Sequence, residues 1–179
     1  PFRDGAYILN INGVPSSHLV PDEPRALEFE YMRWIAAAVE NLAPGKRLLH
    51  LGGGGCSLPR YFADLWPDSH NTVVELDAKL AELIRELADI PSAPRVKIRA
   101  GEARAVTEGF PPHRFDVIIR DVFAGAVTPE SLTTIEFFQH ARATLSSGGL
   151  YVANCGDYPD LQGAKAELAG ICLLYTSPS

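Results

Sequence analysis

The sequence lacks the features that would tie it to a membrane, a metal or a nucleic-acid backbone. No apolar run approaches the roughly 20 residues that cross a bilayer, so no membrane contact is expected. The five histidines fall at no metal-ligand spacing, and no metal is expected. Three cysteines, Cys56, Cys155 and Cys172, lie far apart and form no C-x-x-C pair. That pattern fits reduced thiols in the cytoplasm, not a disulfide framework. Basic residues gather into no stripe, and 16 Lys and Arg stand against 22 Asp and Glu, a net charge of -6. Nucleic acid is therefore not an expected partner. The opening "PFRDG" carries neither a methionine nor a leader pattern.

What is present is a chain able to build a core. It has 179 residues, 46% hydrophobic and 21% charged, which fits one main domain. Residues Tyr7 to Val20, "YILNINGVPSSHLV", alternate weakly and contain the hairpin-turn dipeptide Asn12-Gly13. They predict a small β element over residues 1–22. "DEPRALEFEYMRWIAAAVENL" predicts a helix with Pro24 in its first turn. Leu27, Tyr31, Trp34, Ile35 and Ala38 fall on one face, and Pro44-Gly45 ends it.

From Arg47 the pattern alternates. "RLLHL", "NTVVELD", "RVKIRAGE", "FDVIIRDVF" and "LYVANCGD" read as strands. "SLPRYFADLW", "AKLAELIRELADI", "TPESLTTIEFFQHARATL" and "DLQGAKAELAGI" read as helices or helix starts. Asp77 is placed to cap the second of these, and Thr128-Pro129 to open the third, which Ser147-Gly148-Gly149 closes. Such alternation implies an α/β fold: a doubly wound, mostly parallel, Rossmann-like sheet covered on both faces, spanning residues 23–171. The end, "CLLYTSPS", resembles read-through sequence, so 172–179 is expected to be a non-native tail on a truncated chain. The alternative is a natural short strand, "ICLLYT".

The stretch "HLGGGGCSLPRY" sets the functional question. Gly52, Gly53, Gly54 and Gly55 follow a strand and precede a helix, where a parallel sheet binds ligands. Backbone free of side chains there lets a nucleoside approach closely, although a tight strand-to-helix turn would need the same residues. The dinucleotide fingerprint fails at its third glycine, and no Gly-Lys-Ser/Thr follows. Glu75 ends the next strand about 20 residues on, the position of a ribose-binding carboxylate. A solvated strand end is the bland reading. Asp77 reads as a cap more than a ligand. Glu102 ends the third strand and could accept from an adenine amino group, or be an exposed loop acid. Asp121 ends the fourth strand and points into the same crevice, unless it only caps its loop.

Together these residues resemble the spermidine synthase (aminopropyltransferase) family, within the wider class of S-adenosylmethionine-dependent methyltransferase folds. The likeness runs from about Leu9 to Gly156. "LNINGVPSSHLV" is similar to the family's N-terminal strand segment, and "FEYMRW" to its aromatic helix start, where Tyr31 matches a substrate-pocket tyrosine. "LGGGG" resembles the Gly-Gly-Gly-Asp-Gly-Gly loop, and "VELD" the ribose-binding Glu-x-Asp. "GEA" resembles a Gly-Asp-Ala adenine site, which adds Ala103 to Glu102. "FDVIIRDVF" matches the strand ending in the catalytic aspartate, and "LTTIEFF" the helix after the gate loop. The resemblance implies Asp121 and Tyr31 as catalytic residues. It implies decarboxylated S-adenosylmethionine, or S-adenosylmethionine, as cofactor, and an amine as the small-molecule acceptor. A homodimer is compatible with it.

The departures bear on the acceptor. Gly55 stands where the family has an aspartate near the cofactor's aminopropyl amine. Glu102 replaces an aspartate, Ala124 takes the second aspartate position after Asp121, and Arg33 stands where an acid often follows the tyrosine. The expected activity is aminopropyl transfer to an amine, with Asp121 as base. Three other readings stay open: methyl transfer from S-adenosylmethionine to an unknown acceptor, a non-catalytic nucleoside-binding or scaffold homologue, and a nicotinamide dehydrogenase.

Overall fold

The computed structural model describes residues 6–176 apart from 12, 44, 126, 158 and 159, and excludes the side chains of 14 and 173–176. Two strands, β1 (Tyr7–Ile11) and β2 (Val14–Leu19), form an antiparallel hairpin. Gly13 sits in its turn at φ +81°; Asn12 and Pro44 of the expected turn and helix stop lie outside the described residues. Helix α1 (Glu30–Leu42) follows. Then come β3 (Arg47–Leu51), α2 (Ser57–Leu65), β4 (His70–Glu75), α3 (Ala78–Leu87), β5 (Val96–Ala100) and α4 (Ala103–Glu108). The last elements are β6 (Phe115–Arg120), α5 (Ile135–Thr144), β7 (Leu145–Ala153) and α6 (Gln162–Thr176).

Strands β3 to β7 make one parallel sheet in the order β5-β4-β3-β6-β7. The chain winds outward from β3 to β5, then returns to the other side of β3. The point of reversal therefore lies between the carboxyl ends of β3 and β6, where such sheets bind ligands. Strand alternation divides the core. Leu48, Val117 and Ile119 face Met32, Ile35, Val39, Leu58 and Phe62 of α1 and α2. Leu49, Leu51 and Ile118 face Phe137, Phe138 and Ala141 of α5. A third cluster joins Ala63, Val73, Ile84 and Val96 with Leu19 of the hairpin. The expected doubly wound parallel sheet is thus present.

Several local expectations need correction. Residues 24–29 are not helical; α1 begins at Glu30. Arg33 Nη1 donates to the Leu27 and Glu28 carbonyls, satisfying them without a helix. The buried stripe of α1 is Met32, Ile35, Ala36 and Val39, and Trp34 is 65% exposed. A stripe at i, i+3, i+4 and i+7 leaves Trp34 on the outer side. The helix expected from Thr128 is interrupted. A short 3-10 turn, Glu130–Leu132, precedes α5, whose N-cap is Thr134, accepting from Phe137 N at 3.2 Å. Thr128 is not a cap, because Arg120 takes its hydroxyl. Leu145 to Gly149 belong to β7, with a register shift against β6. The alternative strand "ICLLYT" is helical, as part of α6. Gly170 in α6 lies where a Cβ would meet the Phe138 ring at 3.3 Å, so its lack of a side chain allows the close seat on α5. Among the described residues no helix is long and apolar enough to cross a membrane.

Candidate active site

Backbone hydrogen bonds continue the sheet past its strand ends. Gly101 N donates to Glu75 O, Gly52 N to Val74 O, Asp121 N to Leu51 O and Asn154 N to Arg120 O, all at 2.8–3.0 Å. This ladder lines up one edge in the order Gly101, Glu75, Gly52, Asp121, Asn154. Three of the positions expected from the sequence, Glu75, Gly52 and Asp121, therefore stand side by side, with Glu102 next after Gly101.

The glycines answer to contacts within the protein. Gly52 has φ +90°, and a Cβ there would lie 2.1 Å from the Asp121 carbonyl oxygen. No other residue tolerates both the left-handed backbone and that approach. Gly53 N and Gly54 N donate to Glu75 Oε2 at 2.9 and 3.1 Å, and Asp77 N donates to Oε1 at 3.0 Å. Gly55 N donates to Ser17 Oγ at 2.8 Å, and a Cβ on Gly55 would lie 2.6 Å from Ser17 Cβ. The hairpin thus closes one wall of the loop. Ser17 was not singled out from the sequence, because nothing local links it to residue 55.

Glu75 has two functions available to its oxygens. Three backbone amides already shape the loop around it. A carboxylate has about four acceptor directions, so one direction on Oε1 is left for a hydroxyl. A second hydroxyl must share or displace a loop amide. This donor and acceptor set fits one edge of a ribose. Glu102 is exposed and caps α4, accepting from Arg104 N at 3.0 Å and Ala105 N at 2.8 Å. Each of its oxygens keeps one acceptor direction. Ala103 is buried as the first residue of α4. Asp77 is the N-cap of α3, accepting from Lys79 N and Leu80 N.

Asp121 is held from two sides. Tyr31 Oη donates to Oδ2 at 3.1 Å, and Asn154 Nδ2 donates to Oδ1 at 3.0 Å. Burial pushes the carboxyl above its ordinary range, while Asn154, Tyr31 and the nearby Arg120 pull it partly back. Burial, followed by the charge and hydrogen bond of Asp121, raises the Tyr31 phenol, which stays a neutral donor. Asn154 was missed at sequence level, although the rule that found Asp121, a polar residue directly after an apolar strand, also selects it in "YVANC".

A surface hollow of about 610 Å³ lined by Asp22, Glu23, Arg25, Glu28 and Asp64 shares no residue with this edge. A half-buried carboxylate beside a glycine-lined switch point is the chemistry to be explained. A family model, the spermine/spermidine synthase domain, matches residues 28–163. The chain belongs to the spermine/spermidine synthase family. It is 31% identical over 134 residues to a polyamine aminopropyltransferase of Vibrio vulnificus, covering 74% of this chain and 45% of that one. It is 60% identical to the structure of a probable spermidine synthase from Corynebacterium glutamicum, with a TM-score of 0.89, over 94% of this chain and 62% of that one. A spermidine synthase in complex with the transition state analogue AdoDATO is 25% identical, with a TM-score of 0.71, over 82% of this chain and 52% of that one. The chain spans between about half and two thirds of the length of these relatives.

Of the four positions noted above as departing from the spermidine synthase pattern, Glu102 keeps a carboxylate, and the other three each have a local setting. Gly55 packs on Ser17. Arg33 is spent on the Leu27 and Glu28 carbonyls. Ala124 is exposed and its amide donates to Val127 O at 2.9 Å in the loop after Asp121. None supplies a carboxylate to the crevice.

Proposed function

We propose that this chain carries the nucleoside site and the base of an aminopropyltransferase that uses decarboxylated S-adenosylmethionine and a small amine. The observation that carries the reading is Asp121, half-buried at the switch point and gripped by Tyr31 and Asn154 beside the glycine loop. Decarboxylated S-adenosylmethionine would supply an electrophilic carbon beside a sulfonium: the amine nitrogen bonds to it as the carbon–sulfur bond breaks, and the electron pair leaves with methylthioadenosine. Glu75 and Glu102, with Gly52–Gly55 and Ala103, would hold the nucleoside. The solved relative bound to AdoDATO supports this choice of ligand.

Asp121 does the proton work. Tyr31 and Asn154 occupy one acceptor direction on each carboxylate oxygen, and the remaining directions face an incoming ammonium. Burial gives the carboxylate more proton affinity than in water, which suits a base that must take an amine's proton. Tyr31 fixes the plane of the carboxylate and thereby the line of approach. With no acid at 55 or 124, a distal ammonium lacks an ion-pair partner at these positions. The acceptor is then bound weakly or is an amine other than a simple diamine such as putrescine. The cytoplasm is the setting we assign, from three cysteines that lie far apart and form no C-x-x-C motif.

The test is methylthioadenosine release from decarboxylated S-adenosylmethionine across a panel of amines. Release with at least one amine supports the reading; folded protein that binds methylthioadenosine yet releases none with any amine overturns it. Gly55 favours a second reading, since no acid there repels the carboxylate of S-adenosylmethionine itself. Calorimetric titration separates the two. Tighter binding of S-adenosylmethionine than of its decarboxylated form selects methyl transfer.

A further inference from the structure

We propose that Arg120 is a positioning residue, which roots the 121–128 loop and sets the charge environment of Asp121 through a buried pair with Glu167 of α6. The proposal deepens the reading of Asp121 as base and rests on it.

The parity of β6 sends the two neighbours to opposite faces. Asp121 meets α1 through Tyr31, and Arg120 points toward α5 and α6. Its side chain is 0% exposed, and so is that of no other arginine among the described residues. A guanidinium at such a site is costly unless every donor is used. Nε donates to Tyr151 Oη at 3.1 Å, and Nη1 to Thr128 Oγ1 at 2.9 Å. Nη2 reaches Cys155 Sγ at 3.6 Å and pairs with Glu167 Oε1. One side chain thus joins β7, the turn after it, the loop following β6 and helix α6.

These contacts bear on the site in two ways. The loop leaves the sheet at Asp121, turns through the Ala124 to Val127 bridge and returns at Thr128. Arg120 holds both roots, one as covalent neighbour and one through Nη1. Its carbonyl also accepts from Asn154 N, and Asn154 in turn grips Asp121. A buried pair of this kind adds little net stability over an apolar one. Its effect here is to fix geometry and charge next to the base.

The charges oppose in a way that can be read. Asp121 is acted on by Tyr31 from α1, Asn154 after β7 and Arg120. Around Arg120 stand Tyr151 of β7, Cys155 and Glu167. Arg120 favours the ionised carboxylate, and Glu167 screens Arg120.

The experiment is a ¹³C-carboxyl NMR titration of Asp121 in the full chain, with amide exchange read at Ala124. Arg120→Met should raise the Asp121 midpoint by about one pH unit and speed Ala124 exchange at least tenfold. Glu167→Gln, which leaves the guanidinium unscreened, should lower the midpoint. Opposite signs support the proposal; shifts of the same sign, or none, overturn it. Should Arg120→Met fail to fold, Arg120→Lys takes its place. Keeping the charge but losing the fork should leave the midpoint near wild type while Ala124 exchange rises; an unchanged exchange rate overturns the loop's part. The titration needs no turnover. Opposing shifts in a protein that transfers nothing to any amine keep the proposal and sink the aminopropyl reading.

Discussion

Strand β6 carries an aspartate at each end, and the two ends treat them differently. Asp116, at the amino end, accepts from Lys46 N, Arg47 N and Ser146 Oγ and pairs with Arg47 at 2.6 Å. Burial works to raise its carboxyl, but the Arg47 and Ser146 bonds prevail and hold it below the ordinary aspartate value. Asp121, at the carboxyl end, has two neutral donors directly on it and a raised carboxyl. One end ties β3 to β6 and β7. The other keeps a carboxylate short of partners where a ligand would sit. Surplus proton affinity at one end, and its absence at the other, is what separates a structural acid from a candidate base.

The largest expected effect breaks the Asp121 side. Asp121→Asn keeps the shape and still satisfies Tyr31 and Asn154 after an amide flip, but takes no proton. Turnover should fall about 10²–10⁴-fold, with methylthioadenosine affinity nearly unchanged by calorimetry. Equal rates for variant and wild type would assign the base elsewhere.

That prediction was within reach of the sequence, and others were not. Asp121, Glu75 and the glycines are legible because each lies at the end of an apolar run, and a parallel sheet brings such ends together. Asn154 obeys the same rule. Ser17 and Arg120 act through partners far along the chain: the hairpin for Gly55, α6 for Arg120. Glu102 was read as a ligand because it ends a strand; that it also caps α4 was not foreseen, because glutamate is an uncommon N-cap. The long helix expected from Thr128 failed because Thr128-Pro129 imitates a helix start, while Thr134 is the working cap.

The next effect breaks the Asp116 side. Asp116→Ala strands the Lys46 and Arg47 amides and frees a half-exposed arginine. The loss should be about 2 kcal/mol, read from urea midpoints at constant m, with methylthioadenosine binding unchanged. A loss of binding without a loss of stability would mean that the amino end is not purely structural.

Glu75 sharpens the comparison, since it combines both roles. Glu75→Ala removes the acceptor of Gly53 and Gly54 together with the proposed ribose contact. Methylthioadenosine should bind at least about tenfold more weakly, given charge-assisted bonds worth about 1.5 kcal/mol or more each. Glu75→Gln separates the roles, because its one carbonyl oxygen can serve Gly53 and Gly54, or Asp77 and a hydroxyl, but not both pairs. An unchanged dissociation constant in both variants would remove Glu75 from the site.

The smallest effect is a pH signature, and its sign differs between the two aspartates. Asp116 has a folded-state value below that of the unfolded chain. Its stabilisation is present above the unfolded value, about 3.9, and is lost as pH falls through the folded one. Asp121 has a folded-state value above the unfolded one, so the folded chain binds this proton more tightly. Its protonated form favours folding below the unfolded value, and that advantage is lost as pH rises through the folded one. Asp121→Asn never ionises and escapes this loss. The variant should therefore gain stability relative to wild type between pH 4 and pH 8, and any constant packing offset cancels in that difference. Urea midpoints of both proteins at the two pH values measure it. A relative stability that stays constant, or moves toward wild type as pH rises, would mean that the Tyr31, Asn154 and Arg120 contacts fully offset the burial of Asp121. The contrast between the ends of β6 would then be one of position alone.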